Sequence, residues 1–465
     1  MKTANFLPHP FPGTPVSHGR RAFCRKAAFL LPALLAAGCN PAPSEPTPTP
    51  MPPPTATTAP SPTPRPTATP TLLPAMPTGP LTWQGSERPL LLAHYMPWYQ
   101  APPVSSSWGY HWTMNHFAPK QKDGVWQDLA SHYTPLIGPY DSSDPLVLEY
   151  QALTMILSGI DGVIVDWYGI EPFWDYGLIH SATLKLFEVV KRMGLKFAVC
   201  YEDQTVKHMV NNGRLKKEEA VAHGQKVMAF LQAEWFGDDA YLKYKDRPVL
   251  YNFGPQYFKG DDWKNLFADL DPQPLFVTLD KAIVPGANAG YPWPPMWASK
   301  GGVLSHDVLL SYLNDFYDMA EDWPFKTGGA WPGFNDIYKE AGVGEGYGFL
   351  DALEGQTLRF TLQLALDHPQ DVIQLVTWND YGEGTNIEPT VEYGYRYLEI
   401  VQEARRATDP AFAFSAADLP LPFRLWEKRV KHAGDADANL ELDQAAEATA
   451  AGDLKKAAEI LDRLP

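Results

Sequence analysis

One segment concentrates the polar chemistry of this chain: Thr377-Trp378-Asn379-Asp380-Tyr381-Gly382-Glu383-Gly384-Thr385-Asn386-Ile387-Glu388-Pro389. Asp380 and Glu383 stand three residues apart in what reads as a tight, glycine-containing loop. Hydrolysis of a glycosidic bond needs such a pair, one carboxyl to protonate the leaving oxygen and a second to act as base or nucleophile. Two carboxyls in one site also raise one pKa, which keeps a proton available near neutral pH. The same spacing equally suits ordinary loop carboxylates or a helix N-cap pair.

Other candidates sit at the ends of short apolar runs. Tyr95 and Trp98 lie at the end of the first run, Asp166 and Trp167 end the second, and Tyr201, Glu202 and Asp203 end the third. Asn252 ends the fourth, Trp331 lies near the seventh, and Trp378, Asn379 and Glu388 flank the carboxylate pair. This composition is that of a sugar-binding cleft. Aromatic faces stack on the apolar faces of pyranose rings, and carboxylates accept hydrogen bonds from hydroxyls. Of Glu202 and Asp203, one is expected to face the cleft. Large aromatics such as Trp98, Trp167 and Trp331 fit a core equally well. His94 and His111 are expected as structural residues. No HExxH or comparable ligand cluster is present, so no metal or other cofactor is expected. GxSxG is absent and Cys200 lies inside a strand-like run, which makes serine or cysteine nucleophiles poor choices.

These positions need a scaffold that gathers strand ends. Strand-like runs occur at Leu90–Met96, Gly162–Trp167, Lys196–Tyr201, Pro248–Phe253, Leu275–Leu279 and Val372–Trp378, with weaker ones at Pro295–Ala298 and Thr327–Trp331. Longer amphipathic segments alternate with them: 145–157, 181–192, 216–234, 262–270, 305–319, 355–366 and 393–405. Eight strands alternating with helices predict an α/β fold, a single (β/α)8 barrel over 81–430, with the active site where the strands end. A doubly wound open sheet is the alternative. Alternating glycines at 342, 344, 346 and 348 fit a mobile loop over the cleft after the seventh strand. A helical hairpin is expected over 437–465, resembling half of a tetratricopeptide-type repeat.

The motifs carry a family resemblance. Trp378–Glu383 is similar to the signature of glycoside hydrolase family 71, whose members cleave α-1,3-glucan. Glu383–Pro389 is similar to that of family 99, endo-acting α-mannosidases and mannanases. His94-Tyr95-Met96-Pro97-Trp98-Tyr99 and Gly159–Trp167 resemble the first two strands of both families. The resemblance runs from about Leu90 to Arg405. It implies Glu383 as general acid/base and Asp380 as the second carboxylate, an aspartate as in family 71 where family 99 has glutamate. It implies either an anhydro-sugar route that retains configuration or an inverting attack by water.

The first 80 residues have a different purpose. Arg20, Arg21, Arg25 and Lys26 precede an apolar run ending in Leu35-Ala36-Ala37-Gly38-Cys39, which resembles a bacterial lipobox with Cys39 as the lipidated residue; Arg20-Arg21-Ala22-Phe23 resembles a twin-arginine export signal. Residues 1–39 therefore read as a lipoprotein signal peptide. Residues 40–80 read as a linker, because Pro41–Pro80 holds 16 of the 46 prolines and 10 threonines. The formal charge of −16 becomes −21 over residues 81–465, which excludes a nucleic-acid coat and suits a neutral substrate. The expectation is a monomeric glycoside hydrolase, lipid-anchored outside the cytoplasm and acting on an α-linked polysaccharide or glycan. The alternatives are a non-catalytic sugar-binding lipoprotein and an envelope scaffold working through the hairpin.

Overall fold

The computed structural model describes residues 79–281 and 284–465. The expected signal peptide, Cys39 and most of the linker lie outside the described residues. Among the described residues, no helix is long and apolar enough to cross a membrane.

Eight parallel strands form the core: β1 (Leu90–Tyr95), β2 (Gly162–Trp167), β3 (Lys196–Tyr201), β4 (Arg247–Asn252), β5 (Leu275–Leu279), β6 (Ala289–Tyr291), β7 (Thr327–Ala330) and β8 (Val372–Leu375). Hydrogen-bonded ladders run from β7 through β8, β1, β2, β3, β4 and β5 to β6. β6 and β7 lie next to each other without a shared ladder, so the barrel is nearly closed. This is the expected (β/α)8 architecture. The sixth strand corrects the sequence reading: it is Ala289–Tyr291, and Met296–Ala298 forms a 3-10 turn instead. Proline at 292, 294 and 295 removes the backbone donors a ladder would need there.

Strand alternation divides the side chains between barrel interior and helix layer. Inside are His94, Asp166 and Cys200, which cluster together. Tyr251 and Thr327 meet there too, 3.1 Å apart, although they belong to β4 and β7. Outside, apolar faces pack on the helices, as where the rings of Phe187 and Phe197 lie 3.9 Å apart.

The helix α1 (Pro145–Ser158) shows why the layer forms where it does. Asp144 accepts from the Leu146 N–H at 2.9 Å, proline occupies the first turn, and Gly159 ends the helix at φ +78°. A Cβ at Gly159 would come within 2.6 Å of the Arg405 side chain, which donates from Nε to the Gly159 carbonyl. Arg405 also pairs with Asp161, and that carboxylate receives the Leu91 N–H at 2.8 Å. This ties the floor of the barrel to α2 (Arg396–Thr408).

The C-terminal hairpin forms as expected, from α3 (Ala436–Ala450) and α4 (Leu454–Arg463), capped by Asp435 and Asp453. It is continuous with the barrel. The helix Leu421–Lys431 packs on both α1 and α3, and its Arg429 bridges Glu149 of α1 at 3.0 Å and Asp443 of α3 at 2.7 Å.

Candidate active site

The loop after β8 is folded by its own backbone. Thr377 and Thr385 pair N–H to carbonyl at 2.9 Å, and the Trp378 N–H donates to the His94 carbonyl at 2.6 Å. Asp380 is oriented twice over. Its N–H donates to Thr377 Oγ1 at 2.7 Å, and its Oδ1 accepts from the Glu383 N–H at 2.9 Å. The two expected catalytic carboxyls are thus linked through one short turn.

Gly384 makes that turn possible. It adopts φ +66°, and a Cβ there would sit 2.6 Å from the Asn335 carbonyl oxygen. The segment after β7 approaches so closely because it pairs with the loop, Asn335 N–H to Glu383 carbonyl at 2.9 Å and Ile337 N–H to Gly382 carbonyl at 3.0 Å. Tyr338 is thereby delivered to Glu383, donating to Oε1 at 3.4 Å. The glycine-rich stretch is fixed at both ends. Phe334–Asn335 pairs with Phe349–Leu350, and the Asp336 carboxylate accepts from the Tyr338 and Tyr347 N–H groups.

Electrostatics single out four carboxyls at the rim: Asp166, Glu202, Asp380 and Glu383. Burial raises Asp380 to about 7, against donated bonds from the Glu383 and Gly382 N–H groups. Glu383 is half-buried and is pushed well above the usual range by desolvation and by the charges of Asp380 and Asp336. Asp166 rises to about 8 through burial, with a further contribution from Asp380. Glu202 rises through burial and the charges of Asp166 and Asp203. Asp166, Glu202 and Glu383 each sense the charge of another of the set, and Asp380 senses that of Asp336. At neutral pH such a cluster holds protons that isolated carboxylates would have lost.

Several sequence candidates make framework contacts. Tyr95 points into the helix layer and donates to Gln151 of α1 at 2.6 Å. Trp167 packs on Trp235, Phe230 and His180, with Tyr201 beside it. Both consequences follow from strand parity: Asp166 and Cys200 face inward, so their neighbours face out. Asp203 receives the Gln256, Tyr257 and Phe258 N–H groups and shapes the loop after β4. Asn252 donates to the Tyr201 carbonyl at 2.6 Å. Asn379 clasps Met96 through both backbone groups. Glu388 is a buried hub for Gln151, Tyr140 and Tyr381, and burial holds it at about 7. Trp331 and Trp378 have no exposed surface, and Trp98 stacks on His111 with ring centres 4.2 Å apart.

Sequence reading missed Tyr338 and Asp336, which reach the site from a loop with no motif of its own. It also missed Trp174 and Trp297, 42% and 55% exposed on loops that follow β2 and β6. A groove of about 540 Å³ lined by Gln225, Ala229 and Leu266 lies in the outer helix layer and contains none of the rim carboxyls.

Fold and site together define a (β/α)8 barrel whose C-terminal rim carries a coupled carboxyl cluster. In sequence the chain resembles glycoprotein endo-alpha-1,2-mannosidase-like proteins. The mouse protein is 23% identical over 342 residues, 67% of this chain and 68% of that one; the human protein is 22% identical over 342 residues, with 67% of each covered. The zebrafish protein is 34% identical over 83 residues, 16% of this chain and 19% of its own length. In structure the chain resembles the GH99 endo-alpha-mannosidase of Bacteroides thetaiotaomicron, seen alone and with bis-tris-propane. The TM-scores are 0.51 and 0.52 at 17% and 16% identity, covering 70% of this chain and all of that one. No protein-family model matches the chain.

Proposed function

We propose that this protein is a glycosidase that cleaves an α-linked glycan of the α-mannan type, with Glu383 as the general acid and Asp380 as the proton acceptor. The observation that carries the reading is the shared turn, in which Glu383 N–H donates to Asp380 Oδ1 while burial raises both carboxyls. Glu383 holds its proton near neutral pH and delivers it to the leaving oxygen. Asp380, raised to about 7, lies near the pKa at which a base works best in neutral solution. Asp166 and Glu202, facing the same rim, bind sugar hydroxyls. The resemblance to endo-α-mannosidases supports mannose as the sugar and internal cleavage as the mode.

One observation favours a second substrate: the aspartate at 380 matches the α-1,3-glucanase pattern. The two are separated by incubating the protein with α-mannans and α-1,3-glucan and following products by NMR. Release of mannan oligosaccharides supports the first reading, and release only of gluco-oligosaccharides supports the second. The anomer formed first shows whether Asp380 activates water or the sugar's own hydroxyl. Binding without cleavage of any glycan would make the protein a sugar-binding lipoprotein. Cys39 as a lipid anchor and residues 40–80 as a tether would hold the barrel outside the cytoplasm, a proposal tested by metabolic labelling with a fatty-acid analogue in wild type and Cys39→Ser.

A further inference from the structure

We propose that His94, Asp166 and Cys200 form a binding site for a thiophilic divalent cation of the zinc type inside the barrel, with Asp166 shared between this site and the rim carboxyls. The three side chains come from the adjacent strands β1, β2 and β3, and one ligand atom of each lies within 4.8 Å of the others. All are enclosed, with exposures of 1%, 3% and 0%.

Cys200 Sγ meets the Tyr291 hydroxyl at 3.5 Å and Tyr168 hydrogen-bonds Asp166, but two atoms of the cluster face no partner. Gln374 Nε2 donates to the Pro292 carbonyl at 2.8 Å, which turns Gln374 Oε1 toward His94 Nδ1, 3.3 Å away. The imidazole proton therefore sits on Nδ1, and Nε2 is left as a bare lone pair. Neither His94 Nε2 nor Asp166 Oδ1 has a hydrogen-bond partner. A buried acceptor without a donor is unfavourable. A cation satisfies both acceptors at once.

Imidazole nitrogen, carboxylate oxygen and thiol sulfur together suit zinc, which takes such donors in tetrahedral geometry. The Nδ1–H to Gln374 bond is the outer-sphere contact that fixes a metal-binding histidine's tautomer. Zinc bonds of about 2.0–2.3 Å bring ligand atoms to about 3.3–3.7 Å from one another. The widest ligand separation, 4.8 Å at most, therefore closes by up to about 1.5 Å on binding. The Cys200 S–H bond breaks, a sulfur–metal bond forms, and the proton passes to solvent. Asp166 likewise binds as the carboxylate. The fourth position is left to water or a sugar hydroxyl. Zinc would fix Asp166 and place positive charge beside Asp380 and Glu202, so it would inhibit hydrolysis; this consequence rests on the glycosidase reading.

The test uses the full chain with Cys24→Ser and Cys39→Ser, so that Cys200 is the sole thiol. Cobalt(II) is the probe, because a thiolate–cobalt bond gives a charge-transfer band in the near ultraviolet. The expected result is that band saturating at one equivalent, bleached by added zinc and absent in Cys200→Ala. Zinc titration calorimetry should show affinity falling at least the roughly 10–100-fold that loss of an outer-sphere partner alone costs. Cys200→Ser, which keeps the shape, should weaken zinc likewise and leave the melting temperature unchanged. Absence of the band, or equal zinc affinity in wild type and Cys200→Ala, would overturn the site and assign any binding to surface carboxylates. Hydrolysis inhibited by zinc in wild type and resistant in Cys200→Ala would connect the site to catalysis. A protein that never hydrolyses glycan but shows the band would refute the glycosidase reading and leave the site standing.

Discussion

Replacing Asp380 by asparagine separates the site's cost to stability from its value to catalysis. The carboxyl is 4% exposed, and burial raises it from an ordinary 3.8 to about 7. A folded pKa above the unfolded one means that the native state binds the proton more tightly. Asp380 therefore contributes no electrostatic penalty below about pH 4, and the penalty grows as pH rises through 7. Three units correspond to about 4 kcal/mol at pH 8, an upper bound because neighbouring carboxyls share the effect. Asparagine keeps the oxygen that receives the Glu383 N–H and removes the charge. Asp380→Asn should thus be more stable than wild type at pH 8 by up to about 4 kcal/mol, with the difference shrinking to roughly 1.5–2 kcal/mol at pH 5 and vanishing only below about pH 4. Hydrolysis should fall by roughly 10²–10⁴-fold, the usual worth of a positioned acid or base. Urea denaturation at pH 5 and pH 8, with glycan hydrolysis on the same samples, measures both. A variant equally destabilised at both pH values, or one of unchanged activity, would refute the reasoning.

Three further outcomes follow from particular contacts. Tyr338→Phe removes the donor that steadies ionised Glu383, so the alkaline limb of the pH–rate profile should move to higher pH; a limb moved downward would contradict the contact's role. Gly384→Ala forces a methyl toward the Asn335 carbonyl at positive φ and should cost about 2–4 kcal/mol by denaturant unfolding, whereas a neutral result would show that the turn can relax. Arg429→Met leaves the partly buried Glu149 without its bridge and should cost about 1–3 kcal/mol, the exposed Asp443 adding little, while kcat/KM stays unchanged, because the contact lies between the helix layer and the hairpin.

The barrel was legible where strands are apolar and β-branched. Gly162–Trp167, Lys196–Tyr201 and Leu275–Leu279 begin and end where the sequence places them. β6 escaped because Ala289-Gly290-Tyr291 has too little side-chain pattern to signal a strand, and ladder contacts with β5 create it. The carboxylate pair was legible because one short loop holds both residues. Which strand-end residues face the rim was not, since Asp166 and Trp167 differ only in parity, and parity is set by packing across the barrel. His94, Asp166 and Cys200 carry no spacing signal at all, because register between three strands brings them together. Tyr338 depends likewise on the pairing of residues 335–337 with the loop after β8. The Asp336 carboxylate holds the Tyr338 and Tyr347 N–H groups, which flank most of the alternating glycines, a contact with no spacing signal in the sequence.

The central claim, that Glu383 is the proton donor to the leaving group, is tested most directly by varying the leaving group. Glu383→Gln and wild type should be compared on a natural α-mannan and on an α-mannosyl substrate whose leaving group departs without protonation. The account predicts a loss of roughly 10²–10⁴-fold on mannan and a much smaller loss on the activated substrate. Equal losses on both substrates, or unchanged hydrolysis of mannan, would contradict it.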